Sequence, residues 1–169
     1  GVSVVVVAAP GTSTKDARRV VDALERSKAT VAGVVKVQRS VRLGPEVVAR
    51  LAAIAVASYS TEPKKVAEVV RSTFVDALTS STAGVAAAQA LVTAKLVELT
   101  DHDGKSAAVL SVTESTRVVV VGLADEDQKQ SQAFLLPFLR AVGRARPGGV
   151  VVVDPPSFAE RAAAAEADE

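Results

Sequence analysis

Cysteine, methionine and tryptophan are all absent from this 169-residue chain, and His102 is its single histidine. Without cysteine there is no disulfide and no thiolate nucleophile, although a cysteine-free domain is tolerated in oxidising and reducing compartments alike. With methionine also missing, the soft ligands that Cu(I) prefers are not available. Aromatic residues make up 3% of the chain, Tyr59 and four phenylalanines. The basic stretch Lys36, Arg39, Arg42 therefore lacks the stacking platforms of a single-strand nucleic-acid surface. Charge of one sign is lacking too: 20 basic against 19 acidic residues leave a net charge of +1. No global field points to nucleic acid, an anionic membrane or an acidic ligand. The longest uncharged stretch, Ala77 to Ala94, is broken by Thr79, Ser80, Ser81, Thr82, Gly84 and Gln89. A helical membrane span needs about 20 predominantly apolar residues, so none is expected here. The chain opens on Gly1 instead of an initiator methionine. It is expected to be a processed or excised fragment, with any signal peptide, anchor or coiled coil upstream out of view.

What the chain has in quantity is valine and alanine, 33 and 31 residues. Its core must be filled by many small side chains. Three valine runs, Val4–Val7, Val118–Val121 and Val150–Val153, are apolar at every position. That is the pattern of strands buried on both faces of a parallel sheet. Val31–Val37, interrupted by Gly33 and Lys36, is a fourth candidate strand, and Ala107–Val112 a weaker fifth. Helical spacing links Ala17, Val20, Val21 and Leu24; Val47, Val48, Leu51 and Ile54; Val66, Val70, Phe74 and Leu78; and Val85, Val92, Leu96 and Leu99. Phe134, Leu135, Phe138, Leu139 and Val142 form one more stripe, in which Pro137 predicts a kink or a restart. The stretch from Gly44 to Val97 reads as consecutive helices with no strand between them. Strands alternating with helices predict an α/β fold: a three-layer Rossmann-like or flavodoxin-like domain with a mainly parallel sheet and right-handed crossovers. Residues 1–157 are expected to form one domain, and 158–169 an Ala/Glu-rich C-terminal helix or tail.

Four features invite a chemical reading. Gly11-Thr12-Ser13-Thr14-Lys15 follows a buried strand and opens a helix, where backbone amides attract anions. The Walker pattern requires glycine where Thr14 stands, and G-x-G-x-x-G is missing, so an ordinary hydroxyl-capped turn competes with a ligand loop. Asp154 ends the last valine run as a receiver phosphoacceptor does, but Ala8-Ala9 occupy the place of the acidic pair that would hold magnesium. That leaves either a turn aspartate or a crevice residue beyond the carboxyl strand ends, where open α/β sheets bind ligands. Gly122, closing the Val118–Val121 run, faces the same edge. The candidate ligand-binding residues are therefore Gly11, Thr12, Ser13, Gly122 and Asp154, with an anion or a neutral polyol as occupant. Lastly, Asp101-His102-Asp103-Gly104 offers imidazole and carboxylates to Cu(II), Ni(II) or zinc. It reads equally as a solvated helix end terminated by Gly104, and it supports weak Cu(II) binding at best. No metal site or cofactor is expected. His102 has no serine or cysteine partner, so no catalytic residues are assigned and the chain is not expected to be an enzyme.

Taken in order, the segments resemble a family. Val4–Val7 followed by Ala9-Pro10-Gly11-Thr12, the helix Asp16 to Leu24, and Ala29-Thr30-Val31-Ala32-Gly33-Val34-Val35 look like the start of the soluble domain of the actinobacterial copper-transporter family MctB, the mycobacterial copper transport protein B type. Arg117–Val121, the helix around Phe134–Val142 and Gly148-Gly149-Val150 to Val153 resemble its later strand, helix and strand. The resemblance implies an actinobacterial envelope protein with an N-terminal membrane segment and coiled coil, associated with copper efflux and homeostasis and proposed to form an outer-membrane pore. Copper enters only through this resemblance, and the membrane only through a segment outside this chain. The valine strands lack the in–out alternation of a pore wall. Non-enzymatic action by self-association or by contact with other envelope proteins is the expectation, and a small-molecule or anion-binding domain is the alternative.

Overall fold

The structure is a computed structural model, and it describes residues 1–38, 47, 49–51, 62–80, 82–122, 129–146 and 149–153. The described elements run β1 (Ser3–Ala8), α1 (Thr14–Arg26), β2 (Thr30–Val37), α2 (Pro63–Thr79), α3 (Gly84–Thr93), β3 (Val97–Thr100), β4 (Arg117–Val121), α4 (Lys129–Ala145) and β5 (Val150–Val153). They build one five-stranded sheet in the order β3-β2-β1-β4-β5. β2, β1, β4 and β5 are mutually parallel, and β3 is antiparallel to β2. The three valine runs are thus neighbours, as their shared pattern anticipates. β1 lies at the centre, its Val5, Val6 and Val7 fully buried. Asp154, Ser157 and the 158–169 tail fall outside the described residues, as do Gly44, Pro45, Val48 and Ile54.

Alternation along the strands divides the core in two. Val5 and Val7 of β1, with Val118 and Val120 of β4, join Phe74, Leu78, Leu91, Phe138 and Val142 from α2, α3 and α4. Val4, Val6, Val119 and Val121 point the other way and meet Val21 of α1, with Val20 and Leu24 half-buried beside it. The α2 stripe Val66, Val70, Phe74 and Leu78 is buried throughout. Phe74 and Phe138 set their rings 5.2 Å apart and tilted by 56°, which ties α2 to α4 in the favoured offset manner. Pro137 lies within α4, which is assigned as one helix from Lys129 to Ala145.

Three expectations need correction. Leu96 and Leu99 do not continue the α3 stripe. Lys95 takes φ +57° and the Leu96 amide returns to the Leu91 carbonyl at 3.0 Å, a left-handed helix stop from which β3 departs. The helical spacing of Val92, Leu96 and Leu99 is an accident of a boundary crossing, and Gly104 closes a turn after a strand. Ala107–Val112 forms no strand; the region contributes an isolated bridge, Ser106 to Thr100, and packs Leu110 and Val112 into the larger cluster. Finally, Val151 and Val152 are half-exposed instead of buried, because among the described residues β5 is the last strand of the sheet.

Gly33 is required where it stands. It has φ +156°, and a Cβ there would lie 2.6 Å from Leu110 Cδ2. It pairs with Val5 just past the register shift between Val4 and Val5, so the strand interruption visible in the sequence is a bulge. At the amino-terminal edge of the sheet, the Arg146 guanidinium donates to the Thr116 and Thr79 carbonyls. Burial lowers its pKa, and Glu114 pulls it back upward. Buried Thr116 joins Thr113 and Ser3 through hydroxyl hydrogen bonds of 3.0 and 3.2 Å. Helix ends and strand starts are tied together here.

Candidate functional site

The loop after β1 is built by local chemistry. Gly11 takes φ +89°, and Ser13 adopts extended geometry as the N-cap of α1, its Oγ accepting from the Asp16 amide at 3.0 Å and donating to Asp16 Oδ2 at 2.6 Å. A capped turn satisfies the helix donors. The loop then closes on β4. The Ala9 amide at 2.9 Å and the Thr12 hydroxyl at 3.1 Å both donate to the Val121 carbonyl. Gly122, at φ +84°, follows; a Cβ on it would lie 2.1 Å from Thr12 Oγ1, so close approach of the two loops demands glycine. Gly11, Thr12, Ser13 and Gly122 therefore meet at the carboxyl ends of β1 and β4, where the chain order reverses and such sheets open a crevice. At this seam the Thr12 hydroxyl is engaged by the protein itself. Asp154 lies outside the described residues.

A cleft of about 150 Å³ opens on the other side of the same loop, between α1 and the β2–β3 margin. Its floor is apolar, made by Ala8, Ala17, Val21 and Val34. Its rim carries the hydroxyls of Thr12, Ser13, Thr14 and Thr100 and the charges of Arg18, Lys36, Glu98 and Asp101, with His102 at the mouth. Two sequence features weighed separately, the Gly11–Lys15 loop and the Asp101–Gly104 turn, thus share one site. Arg18 joins them: its Nη1 donates to the His102 carbonyl, while its Nε pairs with Asp22 Oδ1 at 2.9 Å. The turn itself is tight. Asp101 Oδ1 accepts from the Lys105 amide at 2.8 Å, and the Gly104 amide donates to the Asp101 carbonyl at 3.1 Å. His102 Nε2 stands 3.6 Å from Asp103 Oδ2, both side chains half-exposed. Among the described residues no three His, Asp or Glu side chains converge as metal ligands. Gly11 and Gly122 do not line this cleft.

Sequence reasoning missed Lys36, Glu98 and Thr100 as members of a site. The signal was present as polar residues interrupting apolar strands, Val35-Lys36-Val37 and Val97-Glu98-Leu99. Only the antiparallel pairing of β3 with β2, which registers Lys36 with Glu98 and Val34 with Thr100, brings them together.

The geometry defines an α/β domain with a mostly parallel five-stranded sheet and a small polar-rimmed cleft beside its first helix. A fold of this kind hosts many activities and names none. The chain belongs to the family described as copper transport outer membrane protein, MctB, whose model matches residues 1–168. The likeness read from the β1, β2, β4 and β5 segments is therefore a family relationship over nearly the whole chain. A search of the curated proteins returned no significant match. No helix among the described residues is long and apolar enough to cross a membrane.

Proposed function

We propose that this chain is a non-enzymatic, extracytoplasmic domain of an actinobacterial, membrane-anchored envelope protein, and that it serves copper homeostasis by self-association. The family description, copper transport outer membrane protein, supports the copper role and the envelope location. The absence of cysteine and methionine argues that Cu(I) is not held by this chain, since those are its preferred ligands. Division of the core between α1 on one side and α2, α3 and α4 on the other supports the three-layer Rossmann-like reading of the fold.

The observation that carries self-association is the edge of β5. Val151 and Val152 are 50% and 51% exposed, and all four residues of the strand are valine. Among the described residues no strand pairs beyond β5, and an apolar edge of this kind is a template for further strand pairing. A second copy is the occupant that fits, because two such edges related by a two-fold axis place valine against valine with no charge buried. Sedimentation of the chain over a hundredfold concentration range tests this. Wild type is expected to shift from monomer to dimer and Val152→Lys to remain monomeric with an unchanged melting curve. A wild-type monomer throughout, or a variant that dimerises equally well, refutes the reading.

A further inference from the structure

We infer that the cleft beside α1 binds a compact zwitterion, an amine and a carboxylate carried close together on a small apolar body, as in an apolar α-amino acid. Size is the first argument. A space of about 150 Å³ suits a ligand of single-ring bulk, as engineered apolar cavities of that volume do, and falls below the roughly 300 Å³ at which larger ligand pockets begin. The floor of Val21, Val34 and alanine calls for an apolar body.

Charge is the second argument. Of the four charged groups at the rim, Arg18 is ion-paired with Asp22 and bonded to the His102 carbonyl. The Asp101 carboxylate keeps its negative charge but engages Oδ1 with the Lys105 amide inside its own turn. Lys36 and Glu98 differ. They are register partners on adjacent strands and both line the cleft, yet neither has an ion pair or a side-chain hydrogen bond among the described residues. Opposite charges at such cross-strand positions ordinarily stabilise each other directly. Left apart at the mouth of an apolar pocket, with the Lys36 side chain half-buried, they offer one positive and one negative contact. A simple anion satisfies only Lys36 and meets Glu98; a simple cation has the reverse difficulty. A molecule bearing both charges satisfies the pair.

This inference rests on the cleft alone and is independent of the copper reading. Titration of the intact chain with leucine and valine, followed by calorimetry and thermal shift, tests it against two partial ligands: isoamylamine, which lacks the carboxylate, and 4-methylpentanoate, which lacks the amine. At least one amino acid is expected to raise the melting temperature with the logarithm of its concentration, and both partial ligands to bind roughly tenfold more weakly or worse. Glu98→Gln and Lys36→Met are each expected to weaken the amino acid by a similar factor. Glu98 is exposed, so its conservative variant retains the fold and provides the decisive measurement. Failure of both amino acids to bind at about 10 mM, equal binding by either partial ligand, or full affinity in Glu98→Gln overturns the inference.

Discussion

The two edges of the sheet solve the same problem in opposite ways. At one edge, β3 alternates Val97 and Leu99 inward with Glu98 outward, and the chain that follows turns back over it. The Ala107 amide donates to the Leu99 carbonyl at 2.9 Å, the Asp101 amide donates to the Lys105 carbonyl at 2.8 Å, and Ser106 bridges Thr100. Charge and cover both discourage another strand from adding there. At the other edge, β5 is four valines with no charge and, among the described residues, no strand beyond it. One edge is closed by its own loop; the other is left in a form suited to pairing. Sequence pattern alone does not separate a buried strand from an apolar edge, because β4 and β5 read identically until their neighbours are known.

The largest test of that contrast uses register partners. Val119 and Val151 are paired on adjacent strands and point to the same side, but Val119 is 6% exposed and Val151 50%. Val119→Asp buries an unpartnered carboxylate at a cost of several kcal/mol, comparable to the whole stability of such a domain, and is expected to abolish the cooperative melt seen by circular dichroism. Val151→Asp is expected to fold and to lose about 1 kcal/mol or less. Equal behaviour of the two would erase the distinction between centre and edge.

Next in size is Arg146, which anchors the turn into β5. The Gly149 amide donates to its carbonyl at 2.9 Å, and its guanidinium reaches two backbone carbonyls. Arg146→Met removes both charge-assisted hydrogen bonds and is expected to cost about 2 to 3 kcal/mol, measured by urea denaturation. A loss below about 0.5 kcal/mol would mean that the carbonyls are satisfied without it. The smallest effect belongs to the closed edge. Asp101→Ala deprives the Lys105 amide of its acceptor and is expected to cost about 1 kcal/mol, with faster amide exchange confined to residues 101–107. Exchange that accelerates at β5 instead would show that the two edges are not independent.

The fold was legible where local pattern and tertiary fate agree. Four of the five strands, the inward stripe of α1 and the buried stripe of α2 follow directly from valine runs and helical spacing, and the capped turn at Ser13 follows from its hydroxyl. β3 was not legible, because four residues with one charge are too short to establish a strand period, and Leu96 and Leu99 happen to continue a helical one. The site divided in the same way. The Gly11–Ser13 loop and Gly122 announce themselves as strand-end punctuation, and the structure brings them together. Lys36 and Glu98 lie 62 positions apart, and their meeting depends on a pairing that no local signal encodes.

The position of β1 carries a consequence for how the chain is made. The strand belongs to the centre of the sheet, yet its partners are synthesised at very different times. β2 follows within one helix, whereas Ser3 meets Thr116 across 113 positions. At roughly 5 to 20 residues per second, the flank of β1 that awaits β4 stays open for about 6 to 23 s after it leaves the ribosome. During that interval a run of valines is presented as an unpaired strand margin, the same chemistry that, among the described residues, the finished molecule keeps at β5. The nascent chain is therefore most vulnerable to off-pathway pairing before Arg117–Val121 arrives, and the period of risk is set by the helices of the middle third that must be translated first.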